Sequence, residues 1–435
     1  MGARETALNV LIACRKESGW SNGVLKEYLQ RDHLDRRDAA LATRLAYGVL
    51  QNRLKLDFYL QQLLTGKVKD LHPAVRDILH LGLYQLKEMD KVPSSAAVNE
   101  SVDLAKKYCK KQRYAPGLVN AVLRKAADAS LQEPTGWQEM YSHPQALIDL
   151  LKSYVGKERI AKMLAANNEA PDTVVQVNTL KITAAALANR LEGEGVIVQP
   201  HGWMKDCLVL SGTGNLEKLP AFREGLFYVQ DAAAKLSVLC AKLTPGQMVL
   251  DCCAAPGGKS FAAAIAMEGS GSITSCDVHH HKAELIANGA ARLGIGILNA
   301  RCQDATAFVP EWEEKMDTVI ADVPCSGLGI IRKKPDIRYK DLREMAQLPA
   351  LQLQILKNQA RYVRPGGVLL YSTCTLVRAE NEAVVEAFLK ENPEFSLERL
   401  PLPAAFPENT TGMLALVPGE YDTDGFFIAK LRRNA

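Results

Sequence analysis

Hydrophobic positions recur every three or four residues through the first 130 residues, the spacing of one face of an α-helix. Breakers such as Thr65-Gly66, His72-Pro73 and Val92-Pro93 separate these periodic stretches, and Pro73 suits the first turn of a helix. The pattern therefore predicts an all-α amino-terminal domain. It is clearest in two groups of residues: Leu41, Leu45, Val49 and Leu50, and Ile78, Leu79, Leu81, Leu83 and Leu86.

The spacing changes after a polar stretch, Gln132–Gly136, which we interpret as a linker. Residues 145–170 again favour helix, whereas residues 172–230 mix short apolar runs with one helical segment. This mixture predicts a small α+β domain with a helix at Ala184–Glu194 and strands at Thr173–Asn178, Ile197–Gln199, Cys207–Leu210 and Leu226–Val229.

From Gly246 onward, strand-like and helix-like segments alternate, which predicts an α/β domain with a parallel, doubly wound sheet. Ligands of such sheets bind beyond the carboxyl ends of the strands. The predicted strands are Gln247–Cys252, Ser272–Cys276, Ile297–Cys302, Asp317–Ala321, Val368–Ser372 and Phe426–Leu431. One predicted helix begins at Lys259, and three others cover His281–Leu293, Leu351–Val363 and Glu380–Lys390.

Length and charge agree with several domains and add a hint about partners. The chain has 435 residues, too many for one ordinary domain, so we expect domains at 1–140, 145–235 and 236–435. The net charge is +4, but residues 1–140 carry 22 Lys+Arg against 16 Asp+Glu, a balance of +6, which leaves −2 for the remainder. A basic part on a slightly acidic body is a mild indication of a polyanionic partner.

Composition also excludes some classes of protein. No apolar run is long enough to span a bilayer, and the short stretch Ala7–Cys14 is typical of a helix face, so we expect a cytoplasmic protein with reduced cysteines. None of the ten cysteines is spaced as Cys-x-x-Cys, and most are expected to be small buried hydrophobes. Adjacent histidines such as His279-His280-His281 cannot all face one ion, so no metal site is expected.

A glycine turn follows the first strand of the α/β domain and forms the candidate cofactor site. Its glycines allow close approach of the backbone to a ligand, but it is neither a GxGxxG fingerprint nor a P-loop. Three acids stand at successive strand ends: Asp277, where a carboxylate can accept both hydroxyls of a ribose, Asp304, placed for an adenine amino group, and Asp322. Ribose and adenine contacts without a phosphate grip indicate S-adenosylmethionine. The turn residues are Cys253, Ala254, Ala255, Pro256, Gly257, Gly258 and Lys259.

Two cysteines, Cys325 and Cys374, follow two other strands of the same domain. The C5 carbon of a pyrimidine becomes nucleophilic only after a thiolate adds at C6, and a second group must later remove the C5 proton. Two thiols beside a cofactor turn meet both needs. Spacing does not decide which thiol attacks. Lys259 is one candidate for a neighbour that lowers a thiol pKa, and Asp322 could also hydrogen-bond the edge of an extruded cytosine.

These motifs, Asp251–Lys259, Asp277, Asp304, Asp322–Gly327 and Ser372–Cys374, resemble the Sun/Fmu (NOL1/NOP2) family of RNA cytosine-5 methyltransferases. The resemblance covers residues from about 145 to the end, and the amino-terminal part resembles NusB-like RNA-binding domains. It implies a Rossmann-like methyltransferase domain, a small RNA-recognition-like insert and a NusB-like domain.

The resemblance also implies a function. The expected activity is S-adenosylmethionine-dependent methylation of C5 of a cytosine in 16S ribosomal RNA, at position 967. By the same resemblance, Cys374 would be the nucleophile and Cys325 the residue that releases the product, while Cys253–Lys259, Asp277, Asp304 and Asp322 would bind the cofactor.

Other interpretations remain open at this point. Transfer RNA is the alternative substrate, and a non-catalytic RNA-binding or antitermination module is the alternative function. An amino-group methyltransferase is disfavoured, because Asp322-Val323-Pro324-Cys325 stands where an Asn/Asp-Pro-Pro-aromatic motif would be needed. Two basic clusters, Lys106–Tyr114 and Arg332–Pro335, are either solvated faces or contacts to RNA phosphates.

Overall fold

A computed structural model describes residues 2–17 and 21–435. The chain forms two compact units. The first contains Met1–Glu169 together with Ile331–Lys340, and the second contains Ala170–Ile330 together with Asp341–Ala435. Among the described residues, no helix combines the length and the apolar character needed to cross a membrane.

The first unit is helical where the three- and four-residue periodicity predicts it. Pro73 occupies the first turn of its helix, and the Asp35 carboxylate caps another helix by accepting the N–H of Asp38. The helices are α1 Ala3–Glu17, α2 Ser21–Arg31, α3 Arg36–Leu63, α4 Pro73–Glu88, α5 Ser94–Tyr108, α6 Ala115–Asp128, α7 Trp137–Met140, α8 Gln145–Val155 and α9 Ile160–Ala166. The apolar faces of α1 to α6 share one core that includes Leu45, Val49, Ile78 and Leu79, so the all-α prediction is confirmed.

Arg338 explains why ten residues from late in the chain belong to this unit. Its side chain is 1% exposed and donates to the carbonyl oxygens of Gln51 at 2.9 Å and Asn167 at 3.2 Å, and to Asn168 Oδ1 at 2.9 Å. Further, longer bonds reach the carbonyls of Tyr141 and Ser142. Burial lowers the pKa of Arg338 to about 10. The segment Ile331–Lys340 is thus held by a buried guanidinium group bonded to neutral acceptors.

The second unit begins with a small antiparallel sheet in the order β2-β3-β1-β4. Its strands are β1 Thr173–Val177, β2 Ile197–Pro200, β3 Cys207–Ser211 and β4 Phe227–Val229, with helices α10 Ala184–Gly193 and α11 Pro220–Arg223. Val175, Leu187 and Phe227 lie in the core between sheet and helices. The predicted α+β segment is confirmed with boundaries that differ by one residue.

The larger sheet has the order β10-β12-β9-β8-β5-β6-β7, and β11 pairs with β12. Strands β5 to β9 pair with one another in parallel, whereas β12 pairs antiparallel with β9. The strands are β5 Met248–Asp251, β6 Ser272–Asp277, β7 Leu298–Cys302, β8 Met316–Asp322, β9 Val363–Thr373, β10 Phe395–Leu397, β11 Met413–Leu416 and β12 Phe426–Arg433. The helices are α12 Ala232–Cys240, α13 Gly258–Ala266, α14 His280–Leu293, α15 Leu348–Ala360 and α16 Glu382–Glu391. This is the predicted doubly wound architecture, and its strand order reverses between β5 and β8, where such folds bind ligands.

Three local predictions are wrong. Helix α15 ends at Ala360, because Arg364–Gly367 forms a bulge inside β9 instead of a turn before it. Helix α16 begins at Glu382, since Asn381 has a non-helical backbone (φ −114°, ψ −101°) that leaves Glu380 in a preceding turn. Asp304 lies two residues beyond the end of β7 and does not end the strand.

Candidate active site

Neighbouring parallel strands bring the two predicted thiols together. Strand β8 ends at Asp322, which pairs with Ser372 near the end of β9, and the Val323 N–H continues the ladder to the Ser372 carbonyl. Three residues beyond β8 lies Cys325, and directly after β9 lies Cys374. Their Sγ atoms are 3.3 Å apart, and both side chains are half-buried.

The surroundings of the two sulfurs are not equivalent. The hydrogen bond to Cys374, then burial, then the negative charges of Glu380 and Asp322 raise the pKa of Cys325 well above the usual value of a thiol. Either sulfur can be the donor in the hydrogen bond between them. The raised pKa means that Cys325 is harder to ionise than an ordinary thiol.

Lys259 connects the glycine turn with the thiol strands. Its Nζ donates to Asp322 Oδ2 at 2.7 Å, and the Ser372 hydroxyl donates to Asp322 Oδ1, also at 2.7 Å. Burial alone would lower the pKa of Lys259, but the Asp322 carboxylate, with smaller contributions from Asp251 and Cys374, raises it overall. Lys259 is thus a charged ammonium group bonded to a carboxylate, with Cys374 near enough to interact with it electrostatically.

The glycine turn is tightly packed against its surroundings. Gly257 has φ +109°, and a Cβ there would lie 2.4 Å from the Phe261 ring, so only glycine fits. Gly258 begins α13, and a Cβ there would lie 3.1 Å from Gln230 Nε2. Of the other predicted turn residues, Ala254 is buried, Cys253 and Ala255 are half-buried, and Pro256 is exposed after a cis peptide bond.

The predicted acids lie along the same edge of the sheet, each at or just beyond the end of its own strand. Asp277 is 7% exposed, accepts the His279 N–H at 3.1 Å and has the Lys282 ammonium at 3.7 Å. Asp304 is exposed, and its Oδ1 accepts both the N–H and the hydroxyl of Thr306 at 2.8 Å. Asp304 therefore organises its own turn, while Asp277 presents a nearly buried carboxylate beside the glycine turn.

The histidine run and the first basic cluster are mostly exposed. His279, His280 and His281 are exposed at the start of α14, and among residues 2–17 and 21–435 no three His, Cys, Asp or Glu side chains are arranged so that they could hold a metal ion. Within Lys106–Tyr114, Lys106 pairs with Asp103, and Glu5 binds both Lys107 and the Tyr108 hydroxyl. The exposed members are Lys106, Lys107, Lys110, Lys111, Arg113 and Tyr114.

Comparisons with known proteins show matches in all three parts of the chain. Residues 238–432 match the model of the 16S rRNA methyltransferase RsmB/F family, residues 1–128 match the NusB family, and residues 143–217 match the ferredoxin-like domain of RsmF/B-like methyltransferases. The chain is 35% identical to the probable ribosomal RNA small subunit methyltransferase B of Bacillus subtilis (strain 168), over 99% of this chain and 98% of that protein.

The chain belongs to the RsmB/F methyltransferase family.

Other RsmB/F relatives and solved structures extend the match. Ribosomal RNA small subunit methyltransferase B of Vibrio cholerae is 33% identical over 91% of this chain and 90% of its own length. The crystal structure of PH0851 superposes with a TM-score of 0.82, at 26% identity, over 100% of this chain and 99% of the other. The crystal structure of a methyltransferase homolog from Pyrococcus horikoshii superposes with a TM-score of 0.58, at 27% identity, over 68% of this chain and 97% of the other. The expected NusB-like, small α+β and Rossmann-like parts are thereby confirmed.

Sequence reasoning missed three polar residues of the site. Gln352, Glu380 and Asn381 are almost completely buried, and all three hydrogen-bond to the segments that carry the thiols. The only local signal was a Glu-Asn pair shortly after Cys374, which is indistinguishable from the polar start of a helix.

Proposed function

We propose that this RsmB/F methyltransferase modifies C5 of a cytosine in 16S ribosomal RNA, with S-adenosylmethionine as methyl donor, through a covalent bond between Cys374 and C6 of the base. The observation that carries the proposal is the pair of thiols, whose Sγ atoms lie 3.3 Å apart beyond the ends of two neighbouring parallel strands. A single nucleophilic cysteine would not need such a partner.

The cofactor assignment rests on the fit of the turn and the acids. S-adenosylmethionine supplies an electrophilic methyl group when it is bound. Gly257 has the positive φ that this turn requires, and the nearly buried Asp277 carboxylate suits two ribose hydroxyls. We assign cofactor contacts to Asp277, Asp304, Asp322 and the turn residues Cys253, Ala254, Ala255, Pro256, Gly257, Gly258 and Lys259.

The chemistry can be followed at the two sulfurs. The Cys374 thiolate attacks C6, and the electron pair of the C5–C6 double bond moves into the ring, which makes C5 nucleophilic toward the methyl group. Once Cys374 Sγ is bonded to C6, it no longer carries the negative charge that helped to keep the proton on Cys325. Cys325 can then lose its proton to water, and its thiolate can take the proton from C5 as the C6–S bond breaks. Cys325 ends as a thiol and Cys374 as a thiolate, so the pair returns to its starting state.

The two cysteines should therefore fail differently. The variant Cys374→Ala cannot form the covalent species and has no activity. Its counterpart Cys325→Ala still attacks and methylates, then stalls as an enzyme–RNA adduct that runs as a slow band on a denaturing gel and disappears with ribonuclease. Cys302→Ser is a matched control, because Cys302 is exposed and lies at the end of β7 away from the pair. An adduct in Cys374→Ala but not in Cys325→Ala would reverse the roles, and full activity in both would exclude covalent catalysis.

The substrate assignment follows from the family and from the charge of the amino-terminal part. We propose a NusB-like domain at 1–140 that binds RNA, an RNA-recognition-like domain at 145–235 and a catalytic domain at 236–435. Position 967 is the target expected from the family resemblance. Bisulfite sequencing of 16S ribosomal and transfer RNA from a deletion strain would show which RNA loses 5-methylcytosine, and loss from transfer RNA alone would overturn the ribosomal assignment.

A further inference from the structure

A buried polar cluster of Gln352, Glu380 and Asn381, here called the clamp, holds the chain on both sides of each thiol. Their exposed fractions are 0%, 2% and 0%. The reaction proposed above assigns no step to any of the three. Burying polar groups is costly unless they are bonded, so the bonds they make indicate what they are for.

Around Cys325, the clamp binds the peptide groups that flank the thiol. Gln352 Nε2 donates to the Pro324 carbonyl at 2.9 Å, and Glu380 Oε2 accepts the Ser326 N–H at 2.9 Å. The two side chains are also joined to each other, since Gln352 Nε2 donates to Glu380 Oε2 at 2.9 Å. The residue between the two bonded peptide groups is Cys325, whose position is therefore set from both sides.

Around Cys374, the same arrangement is repeated with a different residue. Asn381 Oδ1 accepts the Thr373 hydroxyl at 2.6 Å, and Asn381 Nδ2 donates to the Thr375 carbonyl at 3.0 Å. The two thiol segments are linked directly as well, because the hydroxyls of Ser326 and Thr375 lie 2.7 Å apart. Adjacent residues of one turn, Glu380 and Asn381, thus hold the neighbours of both cysteines.

We propose that the clamp residues are positioning residues, with Gln352 and Glu380 serving the release step of Cys325 and Asn381 serving the attack by Cys374. The inference rests on the proposed function. Proton transfer between a thiol and C5 depends steeply on distance, and a displacement of about 1 Å can cost about 100-fold in rate. Loss of the grip on Cys325 should therefore slow release more than attack.

The test compares clamp variants with the cysteine variants in the full-length protein. Glu380→Ala and Gln352→Met should accumulate the ribonuclease-sensitive adduct, as Cys325→Ala does, with kcat lowered about 100-fold and KM for RNA unchanged. Glu380→Gln should restore turnover, because its amide oxygen can accept the same two hydrogen bonds. Asn381→Ala should instead slow adduct formation and leave no accumulated adduct.

The chain offers a matched control on the same helix. Gln359 is also buried in α15 and donates from its Nε2 to a backbone carbonyl, at Ala305 and 2.8 Å, which is not part of a thiol segment. Gln359→Met should lower thermal stability as Gln352→Met does, yet accumulate no adduct. If Glu380→Ala does not fold, Gln352→Met carries the test alone.

The outcomes distinguish a wrong positioning role for the clamp from a wrong covalent mechanism. If Cys325→Ala accumulates adduct but Glu380→Ala and Gln352→Met lose activity without it, the positioning role is wrong and the covalent mechanism stands. Equal adduct in Gln359→Met would also overturn the positioning role, because general destabilisation would then explain it. If Cys325→Ala itself forms no adduct, the proposed mechanism fails and the clamp loses its role with it.

Discussion

The buried carboxyl group of Asp251 predicts a stability that falls as the pH rises. Asp251 ends β5 directly before the glycine turn and is 0% exposed. Burial raises its pKa from 3.8 to about 7, against the opposing effects of the Ser260 hydroxyl, which donates to Asp251 Oδ2 at 2.7 Å, and of the Lys259 charge. The substitution Asp251→Asn replaces this group with a neutral one of the same shape, whose oxygen can accept the same hydrogen bond.

The sign and size of the effect follow from proton linkage. The pKa of Asp251 is higher in the folded than in the unfolded protein, so the folded protein binds the proton more tightly. Protonation of Asp251 therefore stabilises the fold fully below pH 3.8, and this contribution is lost as the pH rises through about 7. One pKa unit is worth ~1.4 kcal/mol, so the ionised carboxylate opposes folding by about 4 kcal/mol at most. Asp251→Asn should therefore raise the free energy of unfolding at pH 8 by up to about 4 kcal/mol, and by about zero near pH 4.

The assay is urea unfolding of the full chain between pH 4 and pH 8 at constant ionic strength. We expect the difference between Asp251→Asn and the parent protein to grow with pH in the transition of the second unit. Ser260→Ala is the companion variant, because it removes a donor that favours the ionised carboxylate and should destabilise more at pH 8 than at pH 5. A difference that is the same at both pH values, or an Asp251→Asn variant that is less stable throughout, would refute the reasoning.

Three further predictions concern other parts of the chain. Asp277→Ala should weaken S-adenosylmethionine binding about 10- to 100-fold by calorimetry, since a lost charged hydrogen bond costs about 1.5–3 kcal/mol, and unchanged affinity would contradict the ribose assignment. Charge reversal at Lys110 and Lys111 should raise KM for RNA and flatten the salt dependence of RNA binding. The effect should exceed that of reversal at Lys106, which already pairs with Asp103. If the dependence of RNA affinity on salt concentration does not change, the cluster is only a solvated face. Arg338→Met should destabilise the first unit by about 3 kcal/mol in urea, because it leaves several buried carbonyls without a donor, and a loss near zero would show that these acceptors find other partners.

Much of the architecture was predictable because the hydrophobic period changes where the fold changes. The switch from a three- and four-residue spacing to short alternating runs correctly separated the helical part from the two sheets. The errors come from residue types that occur in more than one kind of local structure. Pro365-Gly366-Gly367 is typical of a turn, yet here it forms a bulge within β9, where pairing with β8 resumes at Val368.

The parts of the site that could not be predicted depend on contacts between distant segments. The strand-end acids and thiols are local signals, because each lies at the end of a strand or within three residues of it. By contrast, Gln352 lies on a helix whose sequence does not show that it faces Pro324, 28 residues earlier. Likewise, nothing in the sequence around Arg338 shows that ten residues of the α/β region belong to the helical unit. Long-range polar contacts of this kind carry no periodicity.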